Sequence, residues 1–356
     1  MIRAPQFWTE TSWIGWLLRP ISWIYGGLAG ARMGWRPRHH ASVPVIAIGN
    51  YTAGGAGKTP TAIALTQMAI GLGFSPIVLM RGYGGRLRGP QLIDAQHDNA
   101  RDIGDEALMI AAAGVPVIVA RDRALGAEHA IACGSDLIIL DDGFQSPALA
   151  KDLALVVIDS VYGIGNGAML PAGPLRAPLG RQLAATDALI VVSNGVAGAA
   201  ADAIAAEVAA TGRPVFAARI EPEPSSSGFA GRDVIAFAGI GRPEKLSEGL
   251  AAQGARVMAL IGFPDHHRYT PADARDLLRR AEAGGCALVT TAKDMARLSG
   301  DPDPTIQALA ARAEVAAVRL TFNRPVEVAS FLVGRIGGPV AAQTAAVTGS
   351  PAADAL

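Results

Sequence analysis

The fold is decided by the stretch Val45-Ile-Ala-Ile-Gly-Asn-Tyr-Thr-Ala-Gly-Gly-Ala-Gly-Lys-Thr-Pro60. It opens with β-branched apolar residues, passes through a glycine-rich turn and ends with Gly57-Lys58-Thr59 at the start of a helical pattern. This is the order of a P-loop, in which backbone N–H groups hold phosphate oxygens, the lysine reaches the terminal phosphates and the threonine binds Mg²⁺. The strict pattern has glycine where this chain has Thr52. A plain glycine turn would not require the Lys-Thr pair, so the stretch predicts nucleotide binding.

Short β-branched runs alternate with alanine-rich helical patterns from Val43 onwards. Runs that are apolar on both faces and separated by helices predict an α/β fold of the P-loop NTPase type, with a mainly parallel sheet flanked by helices. Ligands are then expected at the carboxyl ends of the strands. Strands are predicted at 45–48, 76–80, 115–119, 137–140, 155–158 and 188–192.

The domain organisation is predicted from breaks in this pattern. Glu221-Pro-Glu-Pro-Ser-Ser-Ser-Gly228 separates a P-loop core over residues 41–222 from a smaller C-terminal α/β domain over residues 229–336. The last strand of the smaller domain is expected near Val315–Leu320. Residues 337–356, rich in Ala, Gly and Pro, are expected to form a disordered tail.

Residues 1–40 differ from the rest of the chain because they hold all five tryptophans and five arginines against one acid, Glu10. Apolar residues recur at helical spacing, with Pro20 as an expected kink or break. No apolar run reaches the ~18–20 residues needed to cross a bilayer. The segment is therefore predicted to form amphipathic helices at a membrane surface. The alternative is a helix packed on the protein body, with tryptophan as core.

Composition limits the other partners. The net charge is zero, so nucleic acid is not an expected partner. The two cysteines, Cys133 and Cys286, lie among apolar or small residues without metal-ligand spacing, and are expected to be buried, reduced thiols.

Charged residues follow several of the predicted strands. Arg81-Gly-Tyr-Gly-Gly-Arg86 after the second strand suits phosphate binding, or is a solvated basic loop. Asp105-Glu106 opens a helix, where acids are often only caps. Asp141-Asp142 ends an apolar strand, as does the aspartate with which P-loop NTPases hold Mg²⁺.

Two further segments carry candidate side chains. Arg176 lies in the Gly- and Pro-rich segment Tyr162–Pro178 and either contacts phosphate or is a surface arginine. Asp265-His266-His267 follows a strand of the smaller domain. Adjacent histidines point to opposite sides of an extended chain, so acid–base support or substrate binding is favoured over a shared metal site.

Taken together, these motifs resemble the lipid A tetraacyldisaccharide 4′-kinase family. The resemblance runs to about residue 335, and Thr52 in the P-loop is itself a habit of that family. Four positions depart from the family pattern, namely Ala107, Ser146, Ala177 and Ala292. The matching motifs are Gly49-Asn50, Thr52-Ala-Gly-Gly-Ala-Gly-Lys-Thr-Pro60, Arg81-Gly-Tyr-Gly-Gly85, Gly104-Asp-Glu106, Asp141-Asp-Gly-Phe-Gln145, Gly165-Asn-Gly167, Pro171-Ala-Gly-Pro-Leu-Arg176, Phe263-Pro-Asp-His266 and Lys293-Asp294.

The resemblance implies a kinase that uses ATP and Mg²⁺ to phosphorylate the 4′-hydroxyl of an acylated glucosamine disaccharide 1-phosphate in lipid A biosynthesis. It implies a monomer attached peripherally to the cytoplasmic face of the bacterial inner membrane. Asp105 is implied as the base, with His266 orienting or tuning it, and with Lys58 and Arg176 as further catalytic residues. The ATP-binding residues are Thr52, Ala53, Gly54, Gly55, Ala56, Gly57, Lys58 and Thr59. Substrate binding is implied for Arg81, Tyr83, Glu106, Arg121 and Gln145, and metal binding for Thr59, Asp142 and Asp141.

One alternative shares many of these features. A membrane-associated P-loop ATPase of the targeting or partitioning type would have the same loop, sheet and amphipathic N-terminus. Such a protein needs no distant histidine, so Asp265-His266 in the second α/β unit disfavours it.

Overall fold

Thirteen strands form two sheets in the computed structural model, which describes residues 5–10, 12–193, 198–224 and 228–339. The strands are β1 Val45–Gly49, β2 Pro76–Met80, β3 Gln91–Leu92, β4 Val117–Val119, β5 Leu137–Asp141, β6 Leu153–Asp159, β7 Ala188–Ser193, β8 Val215–Pro222, β9 Asp233–Ala238, β10 Arg256–Gly262, β11 Ala287–Thr290, β12 Ala313–Val315 and β13 Val318–Phe322. The helices are α1 Trp13–Met33, α2 Lys58–Gly71, α3 Ala100–Ile103, α4 Asp105–Ala112, α5 Arg123–Ala132, α6 Leu179–Ala184, α7 Ala199–Ala210, α8 Glu244–Ala252, α9 Pro271–Gly284, α10 Ala292–Leu298, α11 Pro304–Arg312 and α12 Pro325–Ile336.

The larger sheet has nine strands in the order β13-β8-β7-β6-β1-β5-β2-β4-β3. The strands from β8 to β4 are parallel, whereas the two edge strands pair antiparallel with their neighbours. The predicted α/β class with a mainly parallel, helix-flanked sheet is confirmed. We call this sheet and its helices the large lobe.

Both faces of the large sheet are covered because its central strands are apolar throughout. In β1, Ile46 and Ile48 belong to the same core as Leu65 of α2, while Val45 and Ala47 belong to the core that contains Ala127 of α5. Successive side chains of a strand point to opposite faces, so this alternation places helices on both sides. The carboxyl ends of β1, β2 and β5 therefore meet at one edge, where the P-loop begins.

The second sheet is smaller, with four parallel strands in the order β10-β9-β11-β12. Each face of this sheet has its own apolar core. On one face, Phe237 shares a core with Leu277 of α9. On the other face, Val234 shares a core with Leu250 of α8. We call this sheet, with α8 to α11, the small lobe. Helix α10 packs on α4 of the large lobe.

The last strand corrects one expectation from the sequence. Val318–Phe322 does not end the small lobe; it pairs antiparallel with β8 in the large sheet. Its alternating pattern, in which Leu320 and Phe322 are buried, fits an edge strand of either sheet, so the sequence did not distinguish them. The chain thus leaves the large lobe after β8 and returns to it as β13 and α12.

The N-terminal helix α1 is a single helix of 21 residues that continues through Pro20, so the expected break does not occur. Ser12 caps its first turn by accepting a hydrogen bond from the backbone N–H of Gly15. None of the helices in the described part of the chain is both long and apolar enough to cross a membrane.

Helix α1 packs on the large lobe through small residues. Its buried positions are Gly15, Ser22, Gly26 and Gly30. A Cβ atom at Gly26 would lie 2.1 Å from Sδ of Met169, so a larger residue there would have to displace the end of that side chain. The large apolar side chains face outward instead: Trp13, Trp16, Leu17, Ile21, Trp23, Ile24 and Leu28 are exposed, Trp13 by 75%.

Two smaller expectations have different outcomes. Cys133 is exposed and Cys286 is partly exposed, so the expected burial of both thiols is wrong; both remain free. Each follows the end of a helix, where burial depends on packing that local composition does not reveal.

The expected disordered tail from Gly337 falls almost entirely on residues 340–356, which lie outside the described residues.

Candidate active site

The P-loop connects β1 to α2 as the sequence predicts. Gly57 caps α2 with a φ of 90°, a left-handed conformation that glycine adopts without strain, and Lys58 is the first helical residue. Thr59 lies in the same first turn. Backbone N–H groups at a helix N-terminus are unpaired within the helix and attract anions, so the loop has the geometry of a phosphate site.

The side chain of Asn50 stabilises this loop through hydrogen bonds. It is fully buried, donates to the carbonyl of Gly54 at 3.1 Å and accepts from Nζ of Lys58 at 3.2 Å. Gln145 in turn donates to the carbonyl of Asn50 at 2.8 Å. Asn50 belongs to the family motif, but no function was predicted for it; its position directly after β1, at the start of the P-loop, was the available signal.

Asp142 lies between two cations. Oδ1 of Asp142 accepts from Nζ of Lys58 at 2.7 Å and from Nη1 of Arg176 at 2.9 Å. Burial disfavours the charged carboxylate, but Lys58 and Arg176 outweigh it and lower the pKa of Asp142 to about 2. Asp142 has a φ of 50°, which is unusual outside glycine and fits a functional position. Three predicted residues are thus in direct contact.

The neighbouring Asp141 is in the opposite situation. Its side chain is buried, and Oδ1 has no hydrogen-bond partner among the described residues. Burial raises the pKa of Asp141 to about 7, although the positive charge of Lys58 opposes this. The negative charge of Glu106 also raises it, which links this aspartate to the start of α4. A buried carboxylate oxygen without a partner is one that a cation or water would satisfy.

Arg176 ends a segment that links α1 to the P-loop; we call residues 166–176 the strap. On its P-loop side, the carbonyl of Pro174 accepts from the N–H of Ala53 at 2.7 Å, and the N–H of Arg176 donates to the carbonyl of Tyr51 at 2.9 Å. Nε of Arg176 also donates to the carbonyl of Thr52 at 3.1 Å.

The other side of the strap is held by the N-terminal segment. Oγ of Ser22 in α1 accepts from the N–H of Ala172 at 2.9 Å, and Nε1 of Trp8 donates to the carbonyl of Pro171 at 3.0 Å. Asn166 donates to the carbonyl of Phe7 at 2.8 Å. The strap is therefore fixed to α1 along one half and to the nucleotide loop along the other.

Asp105 and His266 meet where the two lobes pack. Nδ1 of His266 lies 3.0 Å from Oδ2 of Asp105, although the residues are 161 positions apart. His266 has a φ of 59°, and its backbone N–H donates to the carbonyl of Gly239. The neighbouring His267 turns away, with Nε2 3.0 Å from Oδ2 of Asp273. His266 is therefore the histidine that faces the large lobe.

Two cations from α10 complete this cluster, and no role was predicted for either of them. Arg297 donates to Oδ2 of Asp105 from Nε at 2.9 Å and from Nη2 at 2.7 Å. Nζ of Lys293 lies 3.4 Å from Nε2 of His266 and 3.4 Å from Oε1 of Glu106. Although burial opposes it, hydrogen bonding from His266 and the charges of Lys293 and Arg297 hold the pKa of Asp105 well below the usual aspartate range. The four-residue spacing of Lys293 and Arg297 on one helix was the available signal.

The remaining predicted residues surround these two clusters. Tyr83 is exposed, with its ring edge-on to His266 at 6.3 Å between centroids. Arg81 is exposed after β2, and Arg121 donates to the carbonyl of Gly85 at 3.3 Å. Glu106 contacts Lys293, whereas Gln145 donates a hydrogen bond to the carbonyl of Asn50. The structure brings most of them to one edge of the large sheet.

Comparisons with known proteins show the family to which the chain belongs. A family model described as "Tetraacyldisaccharide-1-P 4′-kinase" (LpxK) matches residues 14–336. Among curated relatives, the tetraacyldisaccharide 4′-kinase of Nitrobacter hamburgensis is 49% identical over 338 residues, covering 94% of this chain and 99% of that protein. The enzyme of the same name from Bradyrhizobium sp. (strain BTAi1) is 47% identical over 342 residues, covering 94% and 96%.

A solved structure also resembles the chain. LpxK from Aquifex aeolicus in complex with ATP superposes with a TM-score of 0.69 at 24% identity, covering 91% of this chain and 99% of that one. At this identity the likeness shows the fold. The family model and the two relatives go further, since they span most of the chain, and the resemblance inferred from the motifs is confirmed: the chain belongs to the tetraacyldisaccharide-1-P 4′-kinase family.

Proposed function

We propose that this chain transfers the γ-phosphoryl group of ATP to the 4′-hydroxyl of a tetraacyldisaccharide 1-phosphate, a step of lipid A biosynthesis. The observation that carries this proposal is the Asp105–His266 pair beside a P-loop, in a chain of this family. A carboxylate and an imidazole from two lobes suit an acceptor hydroxyl, which an ATPase of the targeting or partitioning type does not have.

The P-loop would hold ATP. Backbone N–H groups of Gly54 to Thr59 would face the phosphates, since that of Ala53 already donates to the carbonyl of Pro174, and Lys58 would contact the terminal ones. Lys58 and Arg176 now neutralise Asp142. Phosphate oxygens offer these cations a larger negative charge, so we propose that both turn toward the nucleotide when it binds and stabilise charge in the transition state.

Mg²⁺ is the proposed metal. Thr59, Asp142 and Asp141 supply hard oxygen ligands of the kind that Mg²⁺ prefers. The unpartnered, buried Oδ1 of Asp141 supports this assignment, since an adjacent cation would offset the cost of ionising a buried carboxylate. Bound there with ATP, the metal would neutralise phosphate charge.

The acceptor sugar is proposed to approach Asp105. Phosphoryl transfer requires positioning more than strong base catalysis, so an ionised Asp105 with a low pKa suits late removal of the hydroxyl proton. His266 would orient this carboxylate. Arg81 and Arg121 are proposed to bind the anionic substrate, with Tyr83, Glu106 and Gln145 as further contacts.

The exposed face of α1 is proposed to lie in the cytoplasmic surface of the inner membrane, so that a monomer attaches peripherally. Aromatic and aliphatic side chains at this density favour the interfacial region of a bilayer. A groove lined by Trp13, Trp16, Leu17 and Arg19 of α1 and by Ala172 of the strap lies beside this face. Acyl chains of the substrate would enter there.

The decisive experiment uses the full chain, labelled ATP and detergent-solubilised tetraacyldisaccharide 1-phosphate. We expect label in the lipid only when protein, ATP, Mg²⁺ and acceptor are all present. Phosphate release at the full rate without acceptor would contradict the proposal and favour an ATPase.

A further inference from the structure

Arg297 is the most enclosed cation of the candidate site. Its side chain is 5% exposed, yet it belongs to α10 of the small lobe and contacts a residue of the large lobe. Burying a guanidinium is unfavourable unless each N–H group finds an acceptor and the charge finds an anion. Each of the three guanidinium nitrogens of Arg297 has an acceptor, and Asp105 and Asp294 supply the negative charge, so these surroundings suit an arginine.

The small-lobe end of Arg297 is fixed by a buried network. Nη1 of Arg297 donates to Oδ1 of Asp294 and to the carbonyl of Gly239, both at 2.6 Å. Asp294 is fully buried and also accepts from the N–H of Gly239 and from Oγ1 of Thr291. The guanidinium plane is therefore set by Gly239 and α10, before any contact with the large lobe is considered.

The large-lobe end selects one oxygen of Asp105. Nε and Nη2 of Arg297 and Nδ1 of His266 all lie within hydrogen-bond distance of Oδ2. Oδ1, in contrast, accepts only the backbone N–H of Glu106 at 3.0 Å among the described residues. Three donors on one oxygen fix the rotation of the carboxylate and leave lone-pair capacity on the other.

We infer that Arg297 is a positioning residue for phosphoryl transfer: by holding Oδ2 of Asp105, it presents Oδ1 to the acceptor hydroxyl. The inference rests on the proposed role of Asp105 as the group that receives the proton of the 4′-hydroxyl. The proton passes from the sugar oxygen to Oδ1 as that oxygen bonds to phosphorus and ADP leaves. Arg297 contacts neither substrate nor nucleotide in this scheme and acts only through Asp105.

A purely structural role is the competing explanation, because Arg297 also joins the two lobes. The chain offers a matched control for this. Arg101 of α3 pairs across the same junction with Asp301 at 2.7 Å, and among the hydrogen bonds of the described residues neither one joins Asp105. A variant of Arg101 therefore loses an ion pair between the lobes while the carboxylate of Asp105 keeps all its donors.

The test is a double-mutant cycle on kcat with the full chain, ATP-Mg²⁺ and the lipid acceptor. We expect Arg297→Gln to lower kcat by about 100-fold while changing the KM for ATP less than about threefold. In an Asp105→Asn background, Arg297→Gln should cause no further loss, because its target is already gone. Arg101→Gln should have a small effect that multiplies with that of Asp105→Asn. Equal multiplicative losses for Arg297→Gln and Arg101→Gln would overturn the inference.

A second measurement does not need residual activity in the Asp105 variant. Arg297→Ala leaves a space between two carboxylates that a free guanidinium ion fits. We expect millimolar guanidinium, well below denaturing concentrations, to restore at least a tenth of the wild-type kcat, and tetramethylammonium at equal ionic strength to restore none. Rescue by both salts or by neither, in a variant whose thermal unfolding is still cooperative, would exclude the positioning role.

The two proposals fail differently. If Asp105→Asn turns over like the wild type, the base assignment is wrong and Arg297 has no group to position. If Asp105→Asn is inactive but Arg297→Gln multiplies with it, only the inference about Arg297 fails.

Discussion

At the scale of single residues, the groups proposed for nucleotide binding and those proposed for acceptor chemistry form two clusters. Lys58 and Arg176 meet at Asp142, while His266, Arg297 and Lys293 gather around Asp105 and Glu106. The two sets are joined electrostatically, since the charge of Glu106 affects Asp141. Variants in each set should therefore have distinct kinetic signatures.

Asp105→Ala and Lys58→Ala make this comparison. Loss of the proposed base should lower kcat by about 10²–10⁴-fold and leave ATP affinity nearly unchanged. Loss of Lys58 should weaken ATP binding as well as turnover, because the lysine is proposed to contact phosphate in both the ground and transition states. Steady-state kinetics together with calorimetric ATP titration would distinguish them. Normal turnover by Asp105→Ala would refute the assignment.

Asp141→Asn should stabilise the ligand-free protein at neutral pH. An acid whose pKa is higher in the folded than in the unfolded chain binds more protons when folded, so stability falls as pH rises from about 4 to about 7. Three pKa units correspond to at most about 4 kcal/mol. Asparagine removes this dependence, so the variant should match the wild type near pH 4 and exceed it above pH 7.

Urea unfolding at several pH values would measure that difference. Saturating ATP-Mg²⁺ should reverse the order, since the wild type would gain stability from a ligand that the variant binds poorly. Parallel pH profiles for the two proteins would show that Asp141 is neutralised in another way.

Among the elements, α1 reverses the usual arrangement of an amphipathic helix. Small residues face the protein, and large apolar residues face outward. The sequence predicted a helix with an apolar face, but left open whether that face was core or membrane contact. Periodicity shows that a stripe exists; it does not show which stripe is buried, and here the buried stripe is the one of small residues, Gly15, Ser22, Gly26 and Gly30.

Replacing Trp16 and Trp23 together by serine should weaken binding to vesicles of anionic phospholipid without unfolding the protein. Both indoles are about two-thirds exposed or more, so little packing is lost. Val326→Ser, an exposed apolar position on α12, is the control. Co-sedimentation with vesicles would measure the effect. Undiminished binding by the tryptophan variant would exclude α1 as the attachment site.

In the molecule as a whole, the small lobe is an insertion between two strands of the large sheet. The chain leaves and re-enters the large lobe at neighbouring points, because the N–H of Glu223 donates to the carbonyl of Ala317 at 2.9 Å. Replacing residues 225–316 by a short glycine-serine linker should therefore give a folded large lobe that still binds ATP but does not phosphorylate lipid.

Ending the chain at residue 228 should behave differently. It removes β13 and α12, whose Leu320, Phe322, Val328 and Leu332 belong to the main core. Each buried apolar side chain contributes about 1.5–3 kcal/mol, so their loss is comparable with a total stability of about 5–15 kcal/mol. Circular dichroism and thermal unfolding would compare the two. A stable protein ending at residue 228 would contradict the role assigned to β13.

Features that depend on neighbouring residues could be predicted from the sequence, whereas contacts between residues far apart in the chain could not. The P-loop, the strands around it and the aspartates at the end of β5 follow from local pattern, and they lie where predicted. The family resemblance selected Asp105 and His266, whose separation no local rule could bridge. No role was predicted for Arg297 because its proposed function depends on how α10 packs on α4. The strand β13 was predicted in the wrong sheet because an alternating pattern does not specify which strand it pairs with.

The strap has a practical consequence for measuring this enzyme. A single run of eleven residues touches the helix proposed to sit among lipids at Ala172 and the nucleotide loop at Ala53. The detergent or lipid around α1 is therefore connected through one short segment, the strap, to the P-loop, where ATP is proposed to bind. The apparent KM for ATP should vary with the detergent or lipid chosen, and a Gly26→Leu variant, whose added side chain would push α1 and Met169 apart, should lose that variation.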